Sequence, residues 1–188
     1  MYASGRTTGC VVDSGDGISH TVPIYEGFAI PHAIQKIPLA GIDLTNYLQK
    51  LLAERGLNFS TAQEMDIVKD IKETMCYVVG DFELAMKEAG ETHACDKNYE
   101  LPDGKKILIG NERFRCAEAF FNPSLVGNSH KNIGIECFDT IMKCHDEMSV
   151  RRDFFRNIIM AGGSTLFEGL SERMHAEVYS KAPVNCKV

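Results

Sequence analysis

Asp13-Ser14-Gly15-Asp16-Gly17 stands between two runs rich in β-branched and apolar residues, Thr8 to Asp13 and Ile18 to Ile24. Glycine lets a backbone approach an anion closely, successive N–H groups form a nest for phosphate oxygens, and an acidic side chain can hold Mg²⁺ through its waters. The pattern therefore suits a site for nucleoside phosphates. An ordinary hairpin turn, which needs only Gly and Asp, has the same text. A calcium loop of the EF-hand type is excluded, because Gly15 and Gly17 stand where acidic or amide ligands would be required. The second candidate is Gly162-Gly163-Ser164-Thr165, which follows the apolar run Ile158 to Ala161 and precedes a helical pattern. Its amides could lie against a base or a phosphate, and a plain strand-to-helix connection reads identically. Lys69, Lys72 and Glu73 fall on one helical stretch, where charges commonly form a solvated face. His20 lies close to the first glycine turn; a lone strand histidine serves packing as readily as catalysis.

These residues need elements to position them. Thr8 to Asp13 and Ile18 to Ile24 predict a β-hairpin with a glycine-rich tip, and Pro23, Gly27 and Pro31 predict an exposed loop over Tyr25 to Pro31. Leu44, Tyr47, Leu48, Leu51 and Leu52 recur at helical spacing between Asp43 and Arg55, with Gly56 placed for a left-handed cap. Ser60 and Thr61, each followed three residues later by Gln63 or Glu64, resemble capping boxes ahead of the stripe Ile67, Val68, Ile71 and Met75. Tyr99 to Leu101 and Lys106 to Ile109 flank Pro102-Asp103-Gly104, a second hairpin signature, after an irregular polar stretch from Gly90 to Asp96. Further helices are expected over Glu112 to Phe121, Ile135 to Cys144 and Leu170 to Lys181, and a buried strand over Ile158 to Ala161. Hairpins mixed with strand-loop-helix units predict an α/β architecture.

Composition narrows the function classes. A chain of 188 residues can bury one core domain with a smaller insertion, and its 44% hydrophobic and 24% charged residues are ordinary for globular chains. The formal net charge of −6, without a run of Lys and Arg, argues against nucleic acid as a partner. No stretch is apolar for the roughly 20 residues that a membrane span needs. The seven cysteines are scattered with no C-x-x-C, which predicts reduced thiols and neither a disulfide framework nor zinc. With no apolar run behind a basic start, Met1 reads as an initiator and the cytoplasm as the compartment.

Read together, YASGRTTG from Tyr2, DSGDG from Asp13, HTVPIYEG from His20, DIKE from Asp70, YELPDG from Tyr99, IGNERFRC from Ile109 and IMKC from Ile141 resemble the actin family, in collinear order along nearly the whole chain. The resemblance implies the fold of actins, chaperone ATPases and sugar kinases, in which two α/β domains enclose ATP and Mg²⁺ between two phosphate-binding hairpins. It implies a mixed sheet with a hairpin phosphate loop flanked by helices in residues 1–39 and 128–188, and an inserted outer lobe in 40–127. Ser14, Gly15, Asp16 and Gly17 would then form a phosphate clamp, with Asp13 near the metal's waters and His20 ordering the attacking water. Gly41, Lys72 and Glu73 resemble residues around ribose and adenine. Gly162, Gly163 and Ser164 resemble the loop beneath base and phosphates, with Leu166 and Phe167 beside it. Tyr25 to His32 and Pro123 to Gly134 resemble segments that meet neighbouring filament subunits and actin-binding proteins, which implies a cytoskeletal location.

Several positions depart from the family pattern. Lys69 and Ile42 stand where arginine is typical, Phe167 replaces a tyrosine, and the text of Gly90 to Asp96 and of Asn128 to Asn132 differs. In the family, a segment ahead of the part equivalent to Tyr2 carries the first phosphate hairpin with its lysine, a metal-side aspartate and a water-positioning glutamine. A further edge strand follows the part equivalent to Val188. The residues present are thus expected to supply one jaw of the nucleotide clamp, and ATP hydrolysis by this chain alone is expected to be at background.

Overall fold

Alternation along the first strand sorts its side chains between two faces. Strand β1 (Gly9–Ser14) buries Cys10, Val12 and Ser14 and leaves Asp13 exposed. It pairs antiparallel with β2 (Ser19–Tyr25), from Gly9 opposite Ile24 to Ser14 opposite Ser19, so the expected glycine-tipped hairpin forms. β3 (Phe28–Ala29) and β4 (Gln35–Ile37) both add antiparallel to β2, and β7 (Ile158–Ala161) adds parallel to β1. The result is a mixed five-stranded sheet. The computed structural model describes residues 1–144, 148–184 and 186–188.

The buried face of this sheet meets helices α5 (Ile133–Met142) and α6 (Met148–Arg156), and α7 (Leu170–Lys181) packs on α5. Phe154 and Phe155 of α6 are both fully buried, the first against Tyr25 and the second against Phe138. A second group of elements stacks α1 (Gly41–Glu54) on α2 (Ala62–Met75) and α4 (Glu112–Glu118). Leu44, Leu48, Leu51 and Leu52 form the apolar stripe of α1, each fully or almost fully buried, and burial of a leucine is worth about 2 kcal/mol. Gly56, at φ 82°, ends α1 as anticipated: its N–H reaches Ala53 O and that of Leu57 reaches Leu52 O, the two bonds of a Schellman cap. Thr61 and Glu64 close a reciprocal capping box on α2. The two groups share one continuous apolar core.

Around the second group lie α3 (Phe82–Glu91) and the two-stranded ribbon of β5 (Lys97–Glu100) and β6 (Lys106–Ile109). Neither α3 nor α6 is anticipated from the sequence.

Four expectations are corrected. The segment Tyr25 to Pro31 is not wholly loop: Glu26 and Gly27 both take positive φ, a tight turn that folds β3 back onto β2. α4 stops at Glu118, three residues short of Phe121, because the chain tightens into successive turns that bury Phe120 and Phe121. α5 starts at Ile133, two residues early, because Asn132 accepts the Gly134 amide as its cap. β7 is half-buried, because among the described residues it pairs only with β1.

Candidate functional site

The tip of the β1–β2 hairpin is fastened to two other parts of the chain. Gly15 N–H donates to Ile18 O at 3.3 Å and closes the turn. The Gly15 carbonyl accepts the Gly41 amide at 3.0 Å and the Ser164 hydroxyl at 2.8 Å. The Asp16 carbonyl accepts the Ile42 amide at 2.8 Å. In a trans peptide the N–H points opposite to the C=O. Anchoring these two carbonyls inward therefore turns the Asp16 and Gly17 amides outward, and neither has an acceptor among the described residues.

The same bonds complete α1. A helix start leaves its first amides without intrahelical partners, and Ala40 has no side-chain acceptor to offer. The hairpin carbonyls take the amides of Gly41 and Ile42, while Asp43 Oδ2 accepts Ala40 N–H at 2.9 Å. The sequence holds no signal for this, since the acceptors are main-chain atoms some 26 residues distant.

Two glycines are fixed by packing. A Cβ on Gly41 would sit 2.7 Å from Asp16 Oδ1 and 2.9 Å from Ser164 Oγ. Gly162, at φ 89°, would place a Cβ 2.2 Å from Ser14 O and 2.7 Å from Asp13 Oδ1. Gly15, Gly17 and Gly163 differ: none has positive φ, Gly17 and Gly163 have open space, and the nearest atom to a Cβ on Gly15 is 3.8 Å away. The fold does not require glycine at these three positions.

A cavity of about 240 Å³ opens between these parts. The hairpin contributes Gly15 and Asp16, α2 contributes Lys69, Lys72 and Glu73, and the loop after β7 contributes Gly163, Ser164, Leu166 and Phe167. Phe167 is braced edge-on by Phe120, with ring centroids 6.3 Å apart. Lys72 is only 3% exposed, and its ammonium donates to Gly41 O and to Thr45 Oγ1, both at 2.9 Å. Both acceptors are neutral, and Lys72 has no carboxylate within ion-pair distance among the described residues. Thr45 is a partner that sequence reading missed, because a threonine inside a helix carries no distinguishing pattern.

Asp13 and His20 stand opposite each other in the β1–β2 register, so their side chains share one face of the sheet, and Lys36 of β4 lies opposite His20 on its other side. Asp13 is exposed and His20 half-buried. They lie beside the cavity and do not line it. The Ser14 hydroxyl turns the other way, to Ser19 Oγ at 2.8 Å inside the core. Among the described residues no three His, Cys, Asp or Glu side chains cluster with metal-binding geometry.

Elsewhere, Asn128 Nδ2 donates to Pro38 O at 2.9 Å and ties down the segment between Pro123 and Gly134. Tyr2 and Phe28 are 72% and 79% exposed, with the Tyr2 hydroxyl donating to Gly27 O at 3.1 Å. No helix among the described residues is long and apolar enough to cross a membrane.

A mixed sheet whose glycine-tipped hairpin faces a glycine loop across a cavity, with further helices packed on the same core, defines an α/β domain of the actin type. The family model for actin matches residues 1–188, the whole chain, and the protein belongs to the actin family.

Proposed function

We propose that this actin-family chain holds the nucleoside and phosphates of ATP or ADP between the β1–β2 hairpin and the loop after β7, and acts as a cytoplasmic, cytoskeletal filament subunit. The observation that carries the reading is the pair of glycines at Gly15 and Gly163, which the fold leaves unexplained and which border one cavity, with the equally unexplained Gly17 following Asp16 at the hairpin tip. Glycine retained where a side chain would fit suits a backbone that a ligand must approach closely. The outward Asp16 and Gly17 amides suit phosphate oxygens. Lys72, buried without a counter-charge among the described residues, suits the neighbourhood of an anionic ligand, with Lys69, Glu73, Leu166 and Phe167 at the nucleoside end. Bound Mg²⁺ would neutralise phosphate charge; Asp13 offers a carboxylate to its water shell, and His20, opposite it, would order the attacking water.

By the same reading the chain divides into residues 1–39 with 128–188, which carry the sheet, and 40–127, the outer lobe. Phosphoryl transfer to water depends on positioning and on charge stabilisation around the whole phosphate. The groups described here approach from one side, so the 188-residue chain should bind Mg-ADP weakly and hydrolyse ATP at background. Calorimetry and a phosphate-release assay test this; micromolar affinity with turnover that Asp13→Ala abolishes would overturn it.

A second reading, a non-enzymatic module that presents actin-type surfaces to actin subunits or actin-binding proteins, draws on the exposed Tyr2 and Phe28 pair. Large aromatics left in water mark association surfaces. Co-sedimentation with actin filaments that Phe28→Ser weakens would favour it, and a monomer that ignores filaments would count against it.

A further inference from the structure

We infer that Ser164 is a positioning residue for the phosphate hairpin, not a contact to the nucleoside; this rests on the nucleotide reading above. The residue is 8% exposed, and its hydroxyl proton is committed to the Gly15 carbonyl at 2.8 Å. That carbonyl also accepts the Gly41 amide at 3.0 Å, so both of its lone pairs are engaged.

The Gly15 carbonyl and the Asp16 N–H belong to one planar peptide group. Two donors on the oxygen draw electron density from the nitrogen, which makes the Asp16 N–H a stronger donor, and hydrogen-bonded chains strengthen one another in this way. They also fix the direction in which that N–H points. Ser164 thereby acts on the anion-facing amide from behind, through one peptide unit. It joins the loop after β7 to the hairpin, and Gly41 joins the start of α1 to the same oxygen. The close approach of Asp13 and Ser14 to Gly162, which leaves no room for a Cβ, holds the two segments at the spacing this bond needs.

A residue that touched the base or ribose would affect adenosine and ADP alike. A residue that aims the Asp16 amide affects only ligands that carry phosphate. The test compares wild type, Ser164→Ala and Ser164→Thr in the full 188-residue chain, titrated by amide NMR with Mg-ADP, pyrophosphate and adenosine. Ser164→Ala should weaken Mg-ADP and pyrophosphate by up to about fivefold; one neutral hydrogen bond sets that ceiling, because the bond to Gly15 is made with and without ligand and affinity feels only its effect on the Asp16 amide. Adenosine affinity should stay unchanged, and Ser164→Thr should restore both phosphate ligands to within about twofold. In the ligand-free protein the Asp16 amide proton should move upfield in Ser164→Ala and return in Ser164→Thr.

Equal losses for adenosine and Mg-ADP would overturn the inference, as would an unmoved Asp16 resonance. If wild type binds none of the three ligands, the nucleotide reading fails. The ligand-free Asp16 resonance then still decides whether Ser164 sets that peptide.

Discussion

Two of the hairpins among the described residues share nearly the same turn chemistry, and only one of these two has a tip that lies beside a cavity and is fastened to distant parts of the chain. The tip at Gly15 to Gly17 is held by amides of α1 and by Ser164, beside a cavity. The tip at Pro102-Asp103-Gly104 belongs to a two-stranded ribbon, and its turn is closed within the ribbon by Gly104 N–H to Leu101 O and Leu101 N–H to Lys105 O. Gly104 takes φ 83° in open space, so its glycine answers to local backbone conformation alone. Gly15 and Gly17 have no such local need. Turn residues therefore predict that a hairpin forms, while what surrounds the tip decides whether its backbone can receive a ligand.

The sharpest way to break this contrast is Gly162→Ala. It combines a backbone region reserved for glycine with a Cβ only 2.2 Å from Ser14 O, so the β1 end must move. A loss of about 4 kcal/mol is expected, read as a lower urea midpoint. A variant as stable as wild type would show that the hairpin is not braced there.

Next comes a paired test of the tips. Gly104→Ala should cost about 1 kcal/mol, from the left-handed conformation alone, and leave nucleotide affinity untouched. Gly17→Ala should leave the urea midpoint within about 0.5 kcal/mol of wild type while weakening Mg-ADP about tenfold. The reverse pattern would erase the distinction between the two hairpins.

The smallest effect concerns the ribbon's tether. The Tyr99 hydroxyl donates to Asp70 Oδ2 of α2 at 2.5 Å. Burial, reinforced by that carboxylate, pushes the phenol up to about 12. A folded value above the ordinary one means the stability from this bond is complete below about 10, the usual tyrosine value, and is lost as the pH rises through about 12. Phenolate absorbance should show one tyrosine titrating late. Tyr99→Phe should remove that step and cost under about 1 kcal/mol at neutral pH, because the bond's acceptor, Asp70, is exposed to water.

How far the sequence could be read follows the same division between local and distant causes. The hairpins, α1, α2, β7 and α7 were legible because their periodicity, caps and turn residues lie within each segment. α6 was not: its inner side is deeply packed, with Phe154 and Phe155 fully buried, but in nine residues that short apolar face lies among charged neighbours and repeats too few times to show a period. α3 was missed for the opposite reason, since none of its residues is buried and its start depends on Asp81 accepting the Leu84 amide. At the site, residue types flagged the glycines, whereas Lys72 came forward only through the resemblance to the actin family. The hydroxyl of Ser164 on Gly15 and, among the described residues, the lack of a counter-charge at Lys72 depend on chain segments far apart in sequence, and only the fold reveals them.

α1 begins on another segment's main chain, with no cap of its own at Ala40. Ala40 is fully buried and adds no polar group to that start, so lengthening or shortening the 15–18 turn by one residue would unseat a helix whose own text had not changed. An insertion there would be felt as unwinding at 41 and 42, so tolerance to mutation in this protein follows the path of its hydrogen bonds and ignores the order of its residues.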